Sequence, residues 1–563
     1  MRRDPAAGRP GSDAGTSSAT VAERFTLTET QYPDHPFLLV PASACRTYSD
    51  RELSFSYREA GERIRALREC YAASGLTAGA RVALLLENRP AFFFHWFALN
   101  GLGVSVVPLN PDHREAELSF ALAHSEARLA VAIGSRLDDL RRAAAARGLA
   151  IPVIDEASLP DSSPRVAEAA TVPAATALER ECALLYTSGT TGVPKGCVLS
   201  NDYFLRSGLR YLNRRGYVQL EPGASRVLTP LPMFHMNAMA GSTMGVLFAG
   251  GCVIQLDRFH PSTWWQDVSS SGATGVHCLG VMPAILLRLP PCEAETRHAV
   301  RYGTAANVEP QHHRAFERRF GFPLIEGWSM TETGAGAAIS ADDEPRHIGM
   351  RCFGRVPPNL ELRLVDEADH DVPPGEPGEI IVRAKGGQPR LGFFSGYLKD
   401  EAATEHGWRA GWWHTGDIAR FHPDGSLLFV DRRKNLIRRS GENVSALEVE
   451  VVLREHPAIA AVAVTAVADE VRGEEVFAFV QKAADQGAPG DDTALAAAIV
   501  EWTAARLAYF KLPGWLAFVP SLPTTATQKV ERGELRRMAT EAVVQGGCLD
   551  LRADKTRARQ AAR

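Results

Sequence analysis

The sequence predicts an α/β protein with a large N-terminal domain of layered α/β subdomains and a small α+β C-terminal domain. Between Arg81 and Ile133, apolar segments typical of strands alternate with segments typical of helices: RVALLLEN, PAFFFHWFALNGLG, SVVPLN, REAELSFALAHS and ARLAVAI. Such alternation indicates parallel strands that are covered by helices. The chain of 563 residues is too long for a single hydrophobic core, so several domain-sized units are expected.

The composition indicates an ordinary soluble globular protein, with 45% hydrophobic and 23% charged residues. The net charge of −4 gives no reason to expect a nucleic acid or an anionic membrane as partner. No segment reaches the roughly 18 apolar residues of a membrane span. The start of the chain is rich in Gly, Pro, Ser and Ala and has no apolar signal-peptide core, which predicts disorder over residues 1–22. Nine cysteines without CxxC spacing fit a reducing compartment, so a cytoplasmic protein is expected.

The stretch 184–201, LLYTSGTTGVPKGCVLSN, predicts a phosphate-binding loop. Its first residues are typical of the end of a strand, and seven of the eight residues from Thr187 to Pro194 are Gly, Thr, Ser or Pro. Glycines allow close approach of the backbone to a ligand, and successive backbone N–H groups in such a turn form an anion site. The spacing GxxGxxKG differs from the Walker A pattern. The alternative is a solvated Gly/Thr loop with one lysine, Lys195.

This stretch resembles the signature [ST]SG[ST]TGxPKG of the acyl-adenylate-forming enzymes, which include acyl-CoA synthetases, adenylation domains of peptide synthetases, and luciferases. Four further motifs similar to those of this family follow in order: GTAAN at 303–307, GWSMTET at 327–333, GWWHTGD at 411–417 and LPTTATQKVERGEL at 522–535. The chain is therefore identified as a member of the superfamily. The stretches QYPDHPFL, RRFGFPLIEGWSMTET and FVDRRKNLIRRSGENVS most resemble small-acid CoA ligases of the carnitine/crotonobetaine type.

The resemblance implies a nucleotide site assembled from all these motifs. Trp328, where the family usually has Tyr, would offer a flat face for adenine, and Ser329 replaces a usual Gly. Asp417 would accept hydrogen bonds from both ribose hydroxyls, and Arg432 would lie near the ribose or the α-phosphate. The residues assigned to ATP or AMP binding are Thr187, Ser188, Gly189, Thr190, Thr191, Gly192, Lys195, Ala305, Ala306, Asn307, Gly327, Trp328, Ser329, Asp417 and Arg432.

Four residues are implied as catalytic: Lys529, Thr331, Glu332 and His235. Lys529 would bridge the substrate carboxylate and the α-phosphate, although Gln528 replaces the glycine that usually precedes it. Thr331 would donate to phosphate. Glu332 would be a ligand of Mg²⁺, which prefers one or two carboxylates plus nucleotide phosphates. The alternative for Glu332 is a solvated loop carboxylate.

His235 lies in the apolar segment PLPMFHMN, residues 230–237. Taken alone, it predicts a histidine satisfied within the core. The family resemblance instead places it where the acyl and nucleotide pockets meet. Amino-acid-activating members usually carry an aspartate just after this Phe, and a histidine cannot replace that permanent anion. A non-amino acid substrate, small aliphatic or aromatic, is therefore expected.

The resemblance also implies a mobile small domain. The expected division is a disordered N-terminus at 1–22, a large AMP-binding domain at 23–431, a hinge at 432–434, a small C-terminal domain at 435–542 and a disordered tail at 543–563. Lys434 would be the hinge residue. Gly441 would face the thiol channel, where a side chain would block the entering pantetheine.

The implied reaction uses ATP, Mg²⁺ and coenzyme A to convert a small carboxylic acid first to an acyl-AMP and then to a thioester. Three alternatives remain for the second step: a separate carrier protein, a nitrogen nucleophile, or activation of nitrite as in a diazotase. A non-enzymatic nucleotide-binding regulator is disfavoured because Lys195, Glu332 and Lys529 are all present. A homodimer is one option for the assembly.

Overall fold

Four β-sheets, joined and covered by helices, form the framework of the computed structural model. The first three sheets belong to the chain up to Arg432, and the fourth follows it. This arrangement confirms the predicted α/β class with a large N-terminal and a small C-terminal part. The structure describes residues 18–159, 165–166, 176–187, 194–279, 282–306, 308–432, 435–439, 442–469, 472–483, 492–507, 509–524 and 530–561.

Helices occur throughout the described residues. They are α1 (Val21–Gln31), α2 (Tyr57–Ala73), α3 (Pro90–Asn100), α4 (Glu115–Ser125), α5 (Leu137–Ala145), α6 (Asn201–Leu212), α7 (Met244–Ala249), α8 (Trp264–Ser270), α9 (Met282–Arg288), α10 (Pro310–Phe320), α11 (Glu401–Gly407), α12 (Ala446–Arg454), α13 (Asp492–Ala504), α14 (Arg532–Gln545) and α15 (Arg552–Ala561). A π-helix, Asn237–Thr243, leads directly into α7.

The strands are mostly short. They are β1 (Pro36–Val40), β2 (Leu53–Ser56), β3 (Arg81–Leu85), β4 (Ser105–Pro108), β5 (Leu129–Ala132), β6 (Val153–Asp155), β7 (Glu181–Thr187), β8 (Lys195–Ser200), β9 (Arg226–Thr229), β10 (Cys252–Gln255), β11 (Gly275–His277), β12 (Tyr302–Ala305), β13 (Leu324–Trp328), β14 (Ile339–Ser340), β15 (Cys352–Gly354), β16 (Leu360–Val365), β17 (Gly378–Ala384), β18 (Gly396–Tyr397), β19 (Trp413–Phe421), β20 (Leu427–Arg432), β21 (Leu436–Arg439), β22 (Glu442–Ser445), β23 (Ile459–Asp469), β24 (Gly473–Lys482), β25 (Trp515–Phe518) and β26 (Leu549–Asp550).

The first two sheets have parallel centres. The eight-stranded sheet has the order β14-β13-β12-β11-β9-β10-β1-β2, and the seven-stranded sheet has the order β18-β8-β7-β4-β3-β5-β6. The predicted parallel pairing around β3 is confirmed, since β3 pairs in parallel with both β4 and β5. Antiparallel pairs occur only towards the edges in the described residues: β1 with β2, β13 with β14, β7 with β8, and β8 with β18.

The seven-stranded sheet is buried on both faces. Val82 and Leu84 on β3 belong to the main hydrophobic cluster, whereas Ala83 and Leu85 belong to a second cluster on the opposite face. This alternation follows from the two-residue period of a strand. Helix α3 is apolar on every side, and ten of its eleven residues are buried. A helix of this kind has to lie inside the protein, and its rings join the core that underlies both sheets.

The third sheet is antiparallel, with the order β15-β20-β19-β17-β16. Strands β19 and β20 form a hairpin around the turn at Pro423–Gly425, and Pro, Asp and Gly are typical turn residues. The fourth sheet has the order β22-β21-β24-β25-β26, with β23 also paired to β24. Helices α12 and α14 cover it on opposite faces, each over its own apolar cluster.

The prediction of a disordered tail at residues 543–563 is wrong for the described residues up to Ala561. Helix α14 continues to Gln545, and β26 and α15 follow it. Lys555 on α15 is only 1% exposed, and its ammonium donates to Glu475 at 2.8 Å. The basic, polar composition of the tail suggested disorder, but its charge is satisfied by a buried carboxylate on β24.

Two other features bear on the predicted organisation. Helix α1 begins at Val21, inside the stretch predicted to be disordered, while residues 1–17 lie outside the described residues. No helix in the described part of the chain combines the length and the apolar character needed to cross a membrane.

Candidate active site

The carboxyl ends of two neighbouring parallel strands bring separate motifs together. Strands β12 and β13 pair so that Ala305 lies opposite Glu326. Because parallel strands end at the same edge of a sheet, Ala305 and Ala306 lie beside Gly327 and Trp328. The crevice at this edge is a usual place for ligands in α/β proteins. Two motifs that are separate in sequence thus form one wall.

The predicted phosphate loop connects two antiparallel strands. Thr187, at the end of β7, pairs with Lys195, at the start of β8, so both ends of the loop are held side by side. The short strand β18 extends this sheet by placing Tyr397 opposite Cys197. The Thr187 hydroxyl lies 3.9 Å from the Cys197 sulfur. A third chain segment, which the motifs did not indicate, therefore adjoins the loop.

Lys195 lies over the ring of this tyrosine. Its Nζ is 4.7 Å from the centroid of the Tyr397 ring and 3.8 Å from a carboxylate oxygen of Asp400. The aromatic face attracts the ammonium, and the carboxylate partner is too distant for a short hydrogen bond. The ammonium remains partly exposed, so it is available to an anionic ligand.

Glu332 is buried, with 7% of the residue exposed. Its carboxylate accepts a hydrogen bond of 2.8 Å from the Tyr397 hydroxyl, and its backbone carbonyl accepts one of 3.0 Å from the N–H of Phe394. Burial raises the pKa of Glu332, and the Tyr397 hydrogen bond opposes this shift. The alternative of a solvated loop carboxylate is therefore wrong. Glu332 and Lys195 thus both contact one tyrosine, Glu332 through its hydroxyl and Lys195 over its ring.

Asp417 is held by partners from two directions. The indole N–H of Trp328 donates to one carboxylate oxygen at 2.8 Å, and the Arg432 guanidinium lies 3.3 Å from the other. Asp417 and Arg432 are direct partners across the β19–β20 hairpin. Trp328 is 7% exposed, and its ring lies 6.0 Å from that of Phe353. The tryptophan thus orients an acidic residue, a contact that sequence alone did not predict.

The structure also describes three other predicted residues: Thr331, Ser329 and His235. The Tyr203 hydroxyl of α6 donates to the Thr331 carbonyl oxygen at 2.9 Å, which fixes the backbone before Glu332. Ser329 is exposed. His235 is also exposed, and its ring lies 4.6 Å from that of Phe234. Its interpretation as a core histidine is therefore wrong.

Comparison with known protein families agrees with this geometry. Residues 25–398 match the model of the AMP-binding enzyme family, and residues 448–529 match that of the AMP-binding enzyme C-terminal domain. The chain belongs to the AMP-binding enzyme family. This confirms the predicted membership in the acyl-adenylate-forming enzymes.

Relatives of this AMP-binding enzyme are similar along most of their length. The chain is 32% identical over 526 residues to the sulfoacetate–CoA ligase of Cupriavidus necator, covering 92% of this chain and 97% of the relative. It is 31% identical over 504 residues to the crotonobetaine/carnitine–CoA ligase of Citrobacter koseri, covering 86% and 93%. Its fold is similar to that of ATP-bound MatB from Rhodopseudomonas palustris, with a TM-score of 0.76, 26% identity and coverage of 92% and 98%.

Several predicted residues of this AMP-binding enzyme lie outside the described residues, and the structure does not place them. They are Ser188, Gly189, Thr190, Thr191, Gly192, Asn307, Lys434, Gly441 and Lys529. Conversely, the motifs missed Tyr397. It is 65 residues from Glu332 in the chain, and no local pattern marks it, because the pairing of β18 with β8 brings it into the site.

Proposed function

We propose that this enzyme activates a small carboxylic acid with ATP, releasing pyrophosphate, and transfers the acyl group from the resulting acyl-AMP to the thiol of coenzyme A. One observation carries the proposal. Lys195, at the end of the phosphate loop, contacts the ring of Tyr397, whose hydroxyl donates to the buried Glu332. Trp328, of the same motif as Glu332, donates to Asp417. The two curated relatives, named as CoA ligases, support the choice of thiol.

In the first step, a carboxylate attacks the α-phosphate, so two anions must be brought together. Positioning and electrostatic stabilisation are the protein's main contributions to such chemistry. Lys195 and the loop after Thr187 bind the departing pyrophosphate. Lys529 holds the substrate carboxylate against the α-phosphate. Thr331 donates to phosphate from a backbone held by Tyr203.

Glu332 fits the chemistry of a Mg²⁺ ligand. It offers a buried carboxylate held in one orientation by Tyr397, and Mg²⁺ takes one or two carboxylates together with nucleotide phosphates. When bound, the ion would neutralise charge on the leaving phosphates. Glu332 would hold it, and Tyr397 would keep the carboxylate pointing towards it.

Asp417 and its partners bind the nucleoside. Asp417 accepts hydrogen bonds from the ribose hydroxyls. Trp328, through a hydrogen bond, and Arg432, through an ion pair, hold its carboxylate in place. Ala305, Ala306, Asn307, Gly327 and Ser329 form the wall against adenine, and the ring of Trp328 contributes to that wall. The pairing of β12 with β13 supports this assignment because it brings Ala305 and Trp328 to one edge.

In the second step, the thiol requires a path that Lys529 would otherwise occupy. Rotation of the small domain at Lys434 exchanges Lys529 for Gly441, which leaves room for the pantetheine. The incomplete packing between the domains supports such motion. A cavity of about 640 Å³ lies between them, with Met350, Phe429, Leu436, Val451 and Lys511 among its lining residues.

The substrate is a small acid without an α-ammonium group. His235 stands where amino-acid activators place a permanent anion, and the relatives are named for sulfoacetate and for crotonobetaine or carnitine. The reaction takes place in the cytoplasm. A homodimer would be compatible with the proposed reaction. Light scattering of the purified enzyme would measure its oligomeric state.

Release of pyrophosphate and AMP by the purified protein tests this function. Small acids are offered with ATP and Mg²⁺, followed separately by coenzyme A, a carrier protein, amines and nitrite. Thioester formation with coenzyme A is expected. If AMP release depended on one of the other acceptors, the thiol step would be wrong. If no acid released pyrophosphate, the whole proposal would fail.

A further inference from the structure

Two histidines and an aspartate meet beside the turn between β19 and β20. The Nε2 atom of His347 lies 2.8 Å from Oδ2 of Asp424, and Nδ1 of His422 lies 3.0 Å from Oδ1 of the same carboxylate. The two imidazole rings are also close, with centroids 4.0 Å apart and planes inclined by 44°. Each residue offers one potential ligand atom, and these atoms lie within 4.8 Å of one another. We call these three residues the His–Asp–His cluster.

The third sheet brings the cluster together from distant parts of the chain. His422 precedes the turn, and Asp424 lies within it, where the backbone N–H of Ser426 donates to its carboxylate at 2.9 Å. His347 belongs to the segment between β14 and β15, 77 residues before Asp424. Strand β15 pairs with β20 directly after the turn, which brings that segment to the turn. The positions of all three side chains are therefore set by the pairing of strands.

The backbone of His347 has a conformation that few residues adopt. Its φ is +46°, in the left-handed region where Asn, Asp and His are enriched among residues other than Gly. Its carbonyl oxygen accepts a hydrogen bond of 2.9 Å from the backbone N–H of Met350. The side chain of His347 is 16% exposed, compared with 29% for His422 and 28% for Asp424. The cluster is thus held in place by the backbone and is still open to ions from the solvent.

The donor set suits a transition metal ion such as Zn²⁺. A neutral imidazole offers one nitrogen lone pair, and an ionised carboxylate offers two oxygens. Imidazole favours Zn²⁺, Ni²⁺ and Cu²⁺, whereas Mg²⁺ and Ca²⁺ prefer oxygen ligands. In a tetrahedral zinc site with bonds of about 2.0 Å, neighbouring ligand atoms lie about 3.3 Å apart. The two hydrogen-bonded separations of 2.8 and 3.0 Å therefore require only small outward movements.

One further charge faces the cluster. A guanidinium nitrogen of Arg355 lies 3.2 Å from Oδ2 of Asp424, the oxygen that also faces His347. A carboxylate has about four lone-pair sites, so it can accept from Arg355 and bind an ion at the same time. The arginine nevertheless repels a cation. Its removal should therefore strengthen metal binding, whereas it would weaken a cluster that is only hydrogen-bonded.

We infer that the His–Asp–His cluster binds a divalent transition metal ion of the Zn²⁺ type, with His347, His422 and Asp424 as ligands and water completing the coordination. Each imidazole then carries its proton on the nitrogen that does not bind the ion. The ion ties the β19–β20 turn to the segment before β15. The turn lies at the end of the hairpin opposite the pair formed by Asp417 and Arg432. The role of the ion is therefore structural, and the inference does not rest on the proposed function.

Equilibrium dialysis of the full-length protein against Zn²⁺, without nucleotide and with excess Mg²⁺, measures the bound metal. His347→Asn removes one ligand and introduces a residue that tolerates the left-handed conformation. His422→Gln removes the other imidazole. His370→Asn is the matched control, because His370 also belongs to the third-sheet region, between β16 and β17, and faces the carboxylate of Asp366 at 3.7 Å.

The wild type is expected to bind a Zn²⁺ ion whose affinity falls about 100-fold or more in His347→Asn and in His422→Gln. His370→Asn should bind Zn²⁺ as the wild type does. Arg355→Gln should bind it about fivefold more tightly, because a repelling charge is removed. Equal zinc binding by the wild type and both cluster variants would overturn the inference. So would weaker zinc binding by Arg355→Gln.

Thermal unfolding gives a second readout, which does not depend on enzymatic activity. A ligand that binds only the folded protein stabilises it by mass action. Zn²⁺ should therefore raise the Tm of the wild type, of His370→Asn and, most strongly, of Arg355→Gln, which keeps all three ligands. It should not raise the Tm of His347→Asn or His422→Gln. An equal rise in these two variants would assign the zinc effect to another site and contradict the inference.

Discussion

The indole N–H of Trp328 donates a hydrogen bond of 2.8 Å to the carboxylate of Asp417, 89 residues further along the chain. This bond joins the end of β13 in the first sheet to β19 in the third. A residue expected to present its face to adenine therefore also holds the residue expected to bind ribose. The residues proposed for the two ends of the nucleoside site are therefore joined by a hydrogen bond.

Replacing Trp328 with Phe tests this link. The variant keeps an aromatic face but leaves a buried carboxylate oxygen without its donor, which costs about 1–3 kcal/mol of unfolding free energy. The KM for ATP should rise roughly 10-fold for the same reason. Pyrophosphate release measures the KM for ATP, and urea unfolding measures the unfolding free energy.

Trp413→Phe is the matched control for that experiment. The Trp413 indole N–H is buried on β19 without a hydrogen-bond partner in the described structure. Its loss should leave the KM for ATP unchanged and should not cost a hydrogen bond. If both variants changed the KM equally, the Trp328–Asp417 bond would have no special role.

Tyr397→Phe removes the hydroxyl that donates to Glu332 while keeping the ring under Lys195. A hydrogen bond to an ionised carboxylate favours ionisation, so its loss should raise the pKa of Glu332 further. Adenylation at neutral pH should fall roughly 10-fold. The acidic limb of the pH profile of kcat/KM should move to higher pH. An unmoved limb would separate Tyr397 from the action of Glu332.

Glu332→Gln should lower pyrophosphate release by about 100-fold or more, as loss of a strong electrostatic contribution does. Burial raises the pKa of Glu332, so the folded protein holds this proton more tightly than the unfolded chain. The ionised carboxylate thus lowers the unfolding free energy above the raised pKa, and the penalty disappears as the pH falls through it.

The free Glu332→Gln protein should therefore be more stable than the wild type at neutral pH, and the difference should shrink at acidic pH. Urea unfolding of both proteins over a pH series measures it. A variant that is less stable at neutral pH, or fully active at ordinary Mg²⁺ concentrations, would contradict the assigned role.

Lys529→Ala and Gly441→Leu separate the two half-reactions. Lys529→Ala should reduce adenylation by about 100-fold or more but still convert synthetic acyl-AMP and coenzyme A to thioester. Gly441→Leu should release pyrophosphate but stall in thioester formation, because its side chain fills the thiol path. Lys434→Pro fixes φ at about −65°. This variant should keep adenylation but lose thioester formation. Equal damage to both half-reactions in the first two variants would exclude domain alternation.

Local patterns were enough to predict the superfamily and the α/β class, and they also mark the residues proposed for the site. The alternation of strands and helices from Arg81 onwards is visible because each element repeats its apolar residues with its own period. The loop after Thr187 and the residues Glu332 and Asp417 each lie within a short motif. The turn at Pro423–Gly425 consists of typical turn residues, whose conformational preferences are local.

The contacts that complete the site depend on residues far apart in sequence. Tyr397 reaches Glu332 only because β18 pairs with β8, and Lys555 is ordered only because Glu475 lies beneath α15. Burial and charge pairing depend on which distant segments of the chain pack together. A sequence pattern of a few residues does not predict these long-range contacts.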